Sequence, residues 1–352
     1  MSKRSVSTTR SPKRYADLDM ARAKTARAIP GELALIEAIR RRAAATRTVG
    51  LRTGIGDDCA VLRPRAGYEV CVTTDFSLEG RHFRREWHSP QSAGHRCLAR
   101  GLSDLAAMGA EPMAVFLSLA VPARTPAAWV DGFLDGLLAL ARRYKVPLAG
   151  GDTAESPERI AADIIALGQI PAGKARMRSG ARPGDVIYVT GALGGAASEL
   201  AELGQRPAKF RRLTRAVAGH PHLFPEPRLG VGRRLHGMAT AMIDISDGLS
   251  TDLMHLCQAS GVAAEIEEAA LPVHPLAAAL SDALGLALHG GEDYELLFTA
   301  APNARVSRRI AGVPISRIGT VRPVRRGRRA ITMTMRSGGR MPIEAAGWEH
   351  FR

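Results

Sequence analysis

The chain has 352 residues, of which 45% are apolar and 24% charged, and it carries a formal net charge of +15. That composition supports a sizeable core and excludes a wholly disordered or fibrous protein. No apolar run reaches transmembrane length, and the four cysteines (Cys59, Cys71, Cys97, Cys257) form no C-x-x-C pair, which argues against a disulfide framework or structural zinc and for buried, reduced thiols.

Residues 1–28 are rich in Ser, Thr, Lys and Arg and lack an apolar h-region, so they read as a disordered basic tail. Pro30 followed by Leu33, Leu35, Ile36 and Ile39 predicts a helix over 30–44. Residues 68–80 open with strand alternation that stops at Asp75. A helix is expected over 92–110 with Gly109 near its end, a buried strand over 112–122 and a helix over 127–146. The segment 147–157 reads as a strand end running into a polar turn, and 159–170 as a strand. After a boundary near residue 172 the pattern restarts, with strand, glycine turn and helix over 184–203. A basic, proline-containing stretch at 206–233 suits a helix with a surface loop. Strand, acidic turn and helix follow over 240–261, then a glycine turn feeding a strand over 289–300. A strand at 314–321 leads into a basic, hairpin-like connection at 322–330. The expected fold is α+β: a tail (1–28), an N-terminal domain (29–172) and a C-terminal domain (173–352), in a cytoplasmic protein.

Apolar, strand-like segments repeatedly end in turns that carry carboxylates: Asp57 and Asp58, Asp75, Gly151 and Asp152, Asp244 and Asp247, Glu292 and Asp293. Asp104 adds one inside a helix. One such turn is ordinarily a cap, but strand ends are where α/β proteins assemble sites. Carboxylates gathered there repel one another unless cations neutralise them. Mg²⁺ takes hard oxygen ligands and shares them with substrate phosphates, and the many arginines suit the remaining phosphate oxygens. These are the parts of a phosphoryl-transfer site. The chain has neither G-x-x-x-x-G-K-[ST] nor a dinucleotide G-x-G-x-x-G, and "GALGGA" (191–196) reads as a helix-start turn.

Taken together, "GIGDDCAVL", "TTDFSLEGRHF", "LSDLAAMGAEP", "LAGGDT", "RSGARPGDVIYVTGALG", "AMIDISDGLSTDL" and "GGEDYELLFT" occur in the order that resembles the thiamine-monophosphate kinase family. That family lies within the superfamily named for aminoimidazole ribonucleotide synthetase, and the resemblance spans residues 31–351. It implies ATP-dependent phosphorylation of thiamine monophosphate, assisted by several Mg²⁺ ions. It also implies a homodimer whose N-terminal domains pair into a shared β-barrel. Carried over by motif, the resemblance makes Asp58 a metal ligand, Thr73, Thr74 and Asp75 a second metal turn, and Asp104 a bridging ligand. Gly151 and Asp152 become the nucleotide and metal turn, Asp244 and Asp247 metal ligands near the triphosphate, and Ser246 and Arg178 ATP contacts. His82, Glu292 and Trp348 are implied to face thiamine monophosphate. Asp57 is either a second ligand or a turn residue, and Cys59 reads as a packing residue. Phe76 and Arg81 depart from the family pattern at the substrate rim.

Two other readings compete. One is an ATP-using synthetase of the same superfamily with another acceptor. The other is a nucleic-acid-binding protein, suggested by the charge and by "RPVRRGRRA" (322–330) but opposed by few aromatics and no recognised motif, so no specific nucleic acid and no membrane are expected.

Overall fold

The computed structural model describes residues 29, 31–46, 50–324, 330–349 and 351. The expected tail and most of the basic 322–330 connection lie outside them. Helix α1 (Glu32–Ala43) buries Leu35, Ile39 and Ala43, one helical stripe. Strands β1 (Leu51–Thr53) and β2 (Val61–Leu62) then pair around the first glycine turn.

The first large sheet has the order β3 (Tyr68–Leu78), β6 (Ala161–Pro171), β4 (Glu111–Val121), β5 (Leu148–Glu155). The β4–β5 pair is parallel because helix α3 (Ala127–Arg143) makes the crossover; the other pairs are antiparallel. Helix α2 (Pro90–Met108) has sharp ends. Ser89 accepts a hydrogen bond from the Ser92 N–H at 3.1 Å, Pro90 opens the first turn, and Gly109 closes it in the left-handed region at φ 73°. Helices α2 and α3 cross closely: a Cβ on Gly94 would overlap the Phe133 carbonyl, and one on Gly136 the Gln91 carbonyl.

The second sheet runs β14 (Arg340–Pro342), β13 (Ile331–Thr334), β9 (Ala263–Glu267), β12 (Val313–Arg322), β7 (Val186–Thr190), β10 (Glu295–Ala300), β8 (Ala239–Ile245), with β11 (Arg309–Ile310) on β12. Its longer helices are α4 (Gly195–Gln205), α7 (Leu249–Ser260) and α9 (Ala283–His289); α5 (Pro207–Phe210), α6 (Leu229–Arg234) and α8 (Pro275–Ala278) are short. Helix α2 packs on β3 and β6 on one side and on β8 and α6 on the other. One core therefore continues from Leu98, Leu102 and Ile164 to Met242, Leu296 and Phe298. Helix α2, buried along most of its length, is the element that joins the two sheets.

Several expectations change. The fold is mixed α/β, and among the described residues of the single chain the first sheet is open, the expected barrel being one that two copies would share. Strand β3 continues past Asp75, which pairs with Ile164, because β6 supplies partners along its whole length. Strand β5 runs through Gly150, Gly151 and Asp152 where a turn was expected. There the glycine serves close packing: a Cβ on Gly151 would overlap the Leu117 carbonyl of β4, and its φ is 148°. The 206–233 stretch holds only α5 and α6, and its irregular chain is pinned by a small core of Phe210, Leu223 and Phe224. Strands β9, β13 and β14 have no counterpart in the elements read from the sequence.

Candidate active site

A hollow of about 340 Å³ is lined from both halves of the chain. Strand β3 and its following turn supply Asp75, Arg81 and His82; α2 supplies Arg100 and Asp104. The end of β8 gives Asp244, Ser246 and Asp247, the turn before β10 gives Glu292, and the C-terminal segment gives Trp348.

Local sequence explains each placement. On α2, Arg96, Arg100, Ser103 and Asp104 lie three to four residues apart, so one polar stripe runs down a helix that is otherwise apolar. After β8, one carboxylate oxygen of Asp252 accepts the backbone N–H groups of Ser246, Asp247 and Gly248, each at 3.1 Å, and shapes the acidic turn as an inverted helix cap. The next turn is strapped to it: the Glu292 N–H donates to the Ser246 carbonyl at 2.7 Å, and the Tyr294 N–H to that of Ile245 at 2.9 Å. Glu292 and Tyr294 hold φ of 67° and 50°, left-handed values that are uncommon for non-glycine residues. The Trp348 N–H donates to the Asp247 carbonyl at 3.0 Å, and Gly347 packs so closely on that carbonyl that a Cβ would overlap it.

The electrostatics divide the hollow in two. Burial, and then mutual repulsion, push Asp75 and Asp104 up to about 6 and Asp244 up to about 7; Arg100 opposes this at Asp75, and a hydrogen bond from Ser103 Oγ at 2.6 Å opposes it at Asp244. Thr73 Oγ1 donates to Asp104. Glu292 behaves in the opposite way. Burial works against its charge, but Arg96 (2.6 Å), His222 (3.2 Å) and Arg100 (3.8 Å) outweigh burial and hold it well below the usual carboxylate range. The site thus has one group of acids in want of a cation and one acid already neutralised.

Of the residues singled out in the sequence, Asp75, His82, Asp104, Asp244, Ser246, Asp247, Glu292 and Trp348 meet in this hollow. Thr73 and Arg178 line an adjoining groove of about 710 Å³ that shares Asp104 and Asp244 with it. Asp58 and Asp152 are exposed and line neither, as is Gly151 beside Asp152 on β5; Thr74 stands on the opposite, open face of β3. Asp57 accepts the Asp58 N–H at 2.9 Å, as a turn residue does. Cys59 is exposed and Cys71 half-buried, so only Cys97 and Cys257 fit the expectation of buried thiols. Asp293 faces away from the hollow and pins the start of α4 through the Gly194 and Ala196 N–H groups at 2.6 and 3.0 Å. Sequence reading missed Arg96, Arg100, Ser103, His222 and Asp252. Two arginines four residues apart in an apolar helix, in line with Asp104, were the available signal for the first pair.

The donors suit Mg²⁺: carboxylates and hydroxyls, all hard oxygens, with buried acids that repel one another. No group of three or more metal-binding side chains is preassembled among the described residues. No helix among the described residues is long and apolar enough to cross a membrane.

Comparison with known proteins identifies the family. The model of the AIR synthase related protein N-terminal domain matches residues 56–170, and that of the C-terminal domain matches 182–331. The thiamine-monophosphate kinase of Salmonella typhimurium is 38% identical over 328 residues, covering 91% of this chain and 98% of that protein. The enzyme of Bacillus subtilis is 33% identical over 312 residues, covering 85% and 93%. The solved structure of thiamine-monophosphate kinase from Stenotrophomonas maltophilia superposes with a TM-score of 0.74 at 35% identity, covering 91% of this chain and 100% of that one. AaThiL complexed with AMPPCP and TMP superposes with a TM-score of 0.71 at 28% identity, covering 91% and 97%. With both domain models matched in order and relatives this similar along most of its length, the chain belongs to the thiamine-monophosphate kinase family.

Proposed function

We propose that this chain transfers the γ-phosphoryl group of ATP to thiamine monophosphate, producing thiamine diphosphate. The observation that carries the reading is the single hollow in which Asp75, Asp104, Asp244 and Asp247 meet Glu292, His82 and Trp348, on a chain whose relatives bear that name. AaThiL, solved with AMPPCP and TMP, supports the same pair of substrates here.

The acceptor oxygen is already anionic, so the chemistry needs little general base; the barrier is repulsion between phosphates. Ser246 and Arg178 hold the triphosphate beside the acids shared by the two cavities. The ring of Trp348 takes up the cationic thiazolium, and Glu292, held in place by Arg96 and His222, lines the wall beside it. Asp58, Thr73, Asp75, Asp104, Asp152, Asp244 and Asp247 would hold Mg²⁺, whose charge would neutralise the reacting phosphates; Thr74, on the opposite face of β3, is left out of that set. Gly151 lets β5 lie close to β4 and so sets the place of Asp152.

The outer face of β3 exposes Val70, Val72 and Phe76, an apolar stripe with no cover in the single chain. We read it as the face on which a second copy completes a shared barrel, bringing the open sheet to a homodimer, with residues 29–172 and 173–352 acting as two domains of a cytoplasmic enzyme.

The test is formation of thiamine diphosphate from thiamine monophosphate and ATP, with and without Mg²⁺, in wild type, Asp58→Ala and Asp244→Asn. Mg²⁺-dependent product lost in both variants is expected. A folded, ATP-binding wild type that makes no product would reject the acceptor and favour another superfamily chemistry.

A further inference from the structure

We propose that Arg81 grips the phosphate of the acceptor and adds to this chain's affinity for phosphorylated over free thiamine. The inference rests on the kinase reading above and deepens it at one residue on the rim of the hollow.

The hollow is strongly acidic, and an incoming phosphate needs a cation whose charge is not already spent. Two guanidiniums line it, those of Arg81 and Arg100. Arg100 is committed: it lies 3.3 Å from Asp75 and 3.8 Å from Glu292 and is largely buried. Arg96, behind the wall, is tied to Glu292 and His222. Among the described residues the Arg81 guanidinium makes no ion pair or hydrogen bond within the chain, and the residue is exposed at the rim. It is the lining cation that remains available to an anion.

The backbone beneath it is set before any ligand arrives. Gly80 takes φ 88° and donates its N–H to the Phe83 carbonyl at 2.7 Å. The N–H groups of Arg81 and His82 both donate to the Leu78 carbonyl, at 3.1 and 2.9 Å, and His82 Nδ1 accepts the Leu78 N–H at 2.9 Å. Phe83 anchors the turn in the core. A rigid turn with an uncommitted, forked cation at its tip presents a bidentate phosphate donor whose backbone needs no further ordering. Arg81 shares its wall with Glu292 and with Trp348, the residue suited to the thiazolium, whereas Arg178 lines the adjoining groove. The two arginines thus divide the two phosphate-bearing substrates between them.

The test compares two ligands that differ by the phosphate alone. Dissociation constants for thiamine monophosphate and for thiamine are measured by titration calorimetry, with Mg²⁺ and AMPPCP saturating, for wild type, Arg81→Asn and Arg81→Lys. Arg81→Asn should weaken thiamine monophosphate by about tenfold or more and leave thiamine nearly unchanged, with Arg81→Lys recovering part of the loss. Equal weakening of both ligands, or no change in either, would overturn the assignment. Turnover of thiamine monophosphate by the wild type, run alongside, tests the kinase reading separately: no product there defeats that reading, while product with an unaffected Arg81→Asn affinity defeats only the role of Arg81.

Discussion

Arg96 Nη2 donates to Glu292 Oε1 across 2.6 Å, joining the middle of α2 to the turn before β10. His222 stands 3.2 Å from the other carboxylate oxygen, and His88 Nε2 lies 3.1 Å from His222 Nε2 behind it. This buried network holds Glu292 charged and fixes a residue whose own backbone is in the left-handed region. Arg96→Met should leave Glu292 without its main partner and cost about 3 kcal/mol of stability. Glu292→Gln in the Arg96→Met background should then cost less than it does alone, with a coupling of about 1–3 kcal/mol by urea denaturation. Additive losses would show that the pair does not act as a unit.

Asp104 offers a trade between stability and activity. Its carboxyl is pushed up to about 6 by burial and by Asp244, so at pH 7.5 (about 1.5 units above that value) its charge is held at a cost. Without added metal, Asp104→Asn should raise unfolding free energy by about 1 kcal/mol, because the neutral isostere removes that repulsion and can still accept from Thr73. The same variant should lose turnover by about 100-fold or more. A destabilised Asp104→Asn protein would contradict the strain argument.

Gly347 touches the Asp247 carbonyl, and its N–H donates to Thr251 Oγ1 at 3.1 Å, which seats Trp348 at the hollow. Gly347→Ala should shift the C-terminal segment, lowering kcat/KM for thiamine monophosphate by about tenfold to 100-fold with little change in the KM for ATP. An equal effect on both substrates would mean that Trp348 does not serve the acceptor side.

The exposed stripe of β3 makes the dimer testable. Val72→Asp, a charge in the middle of that face, should convert a dimeric species to monomer in sedimentation velocity, since an unpaired charge buried in an apolar interface is expelled. A wild type already monomeric at working concentration would remove the dimer from the proposal.

Acid stability follows from a histidine outside the hollow. His95 is buried, its Nε2–H donates to the Pro225 carbonyl at 2.8 Å, and desolvation holds it down to about 4 from 6.5. Above pH 6.5 both folded and unfolded states are neutral there, and nothing is lost. As the pH falls from 6.5 toward 4 the unfolded chain takes up a proton that the folded chain refuses, so stability declines through that window by about 3 kcal/mol from this group. His95→Gln, which keeps the donor and removes the titration, should flatten that decline relative to wild type in urea melts at pH 7, 6, 5 and 4. Parallel curves for the two proteins would assign acid sensitivity elsewhere.

Much of this protein was determined by local sequence. Periodicity of 3.6 in 127–146 and alternation into 240–245 yielded α3 and β8, and the ordered acidic turns yielded the family and most of the hollow. Those signals are local because a helix stripe or a turn depends on residues within a few positions. Tertiary structure decided the rest. Strand β3 could continue past Asp75 only because β6 paired with it, and Gly150, Gly151 and Asp152 became strand because β4 lay against them. The side of α2 that meets the site was hidden because nearly every side of that helix is buried between two sheets, so apolar periodicity could not show which face carried Arg96 and Arg100. Trp348 reached Asp247 by close backbone approach at Gly347, a contact between segments about a hundred residues apart that only packing can create.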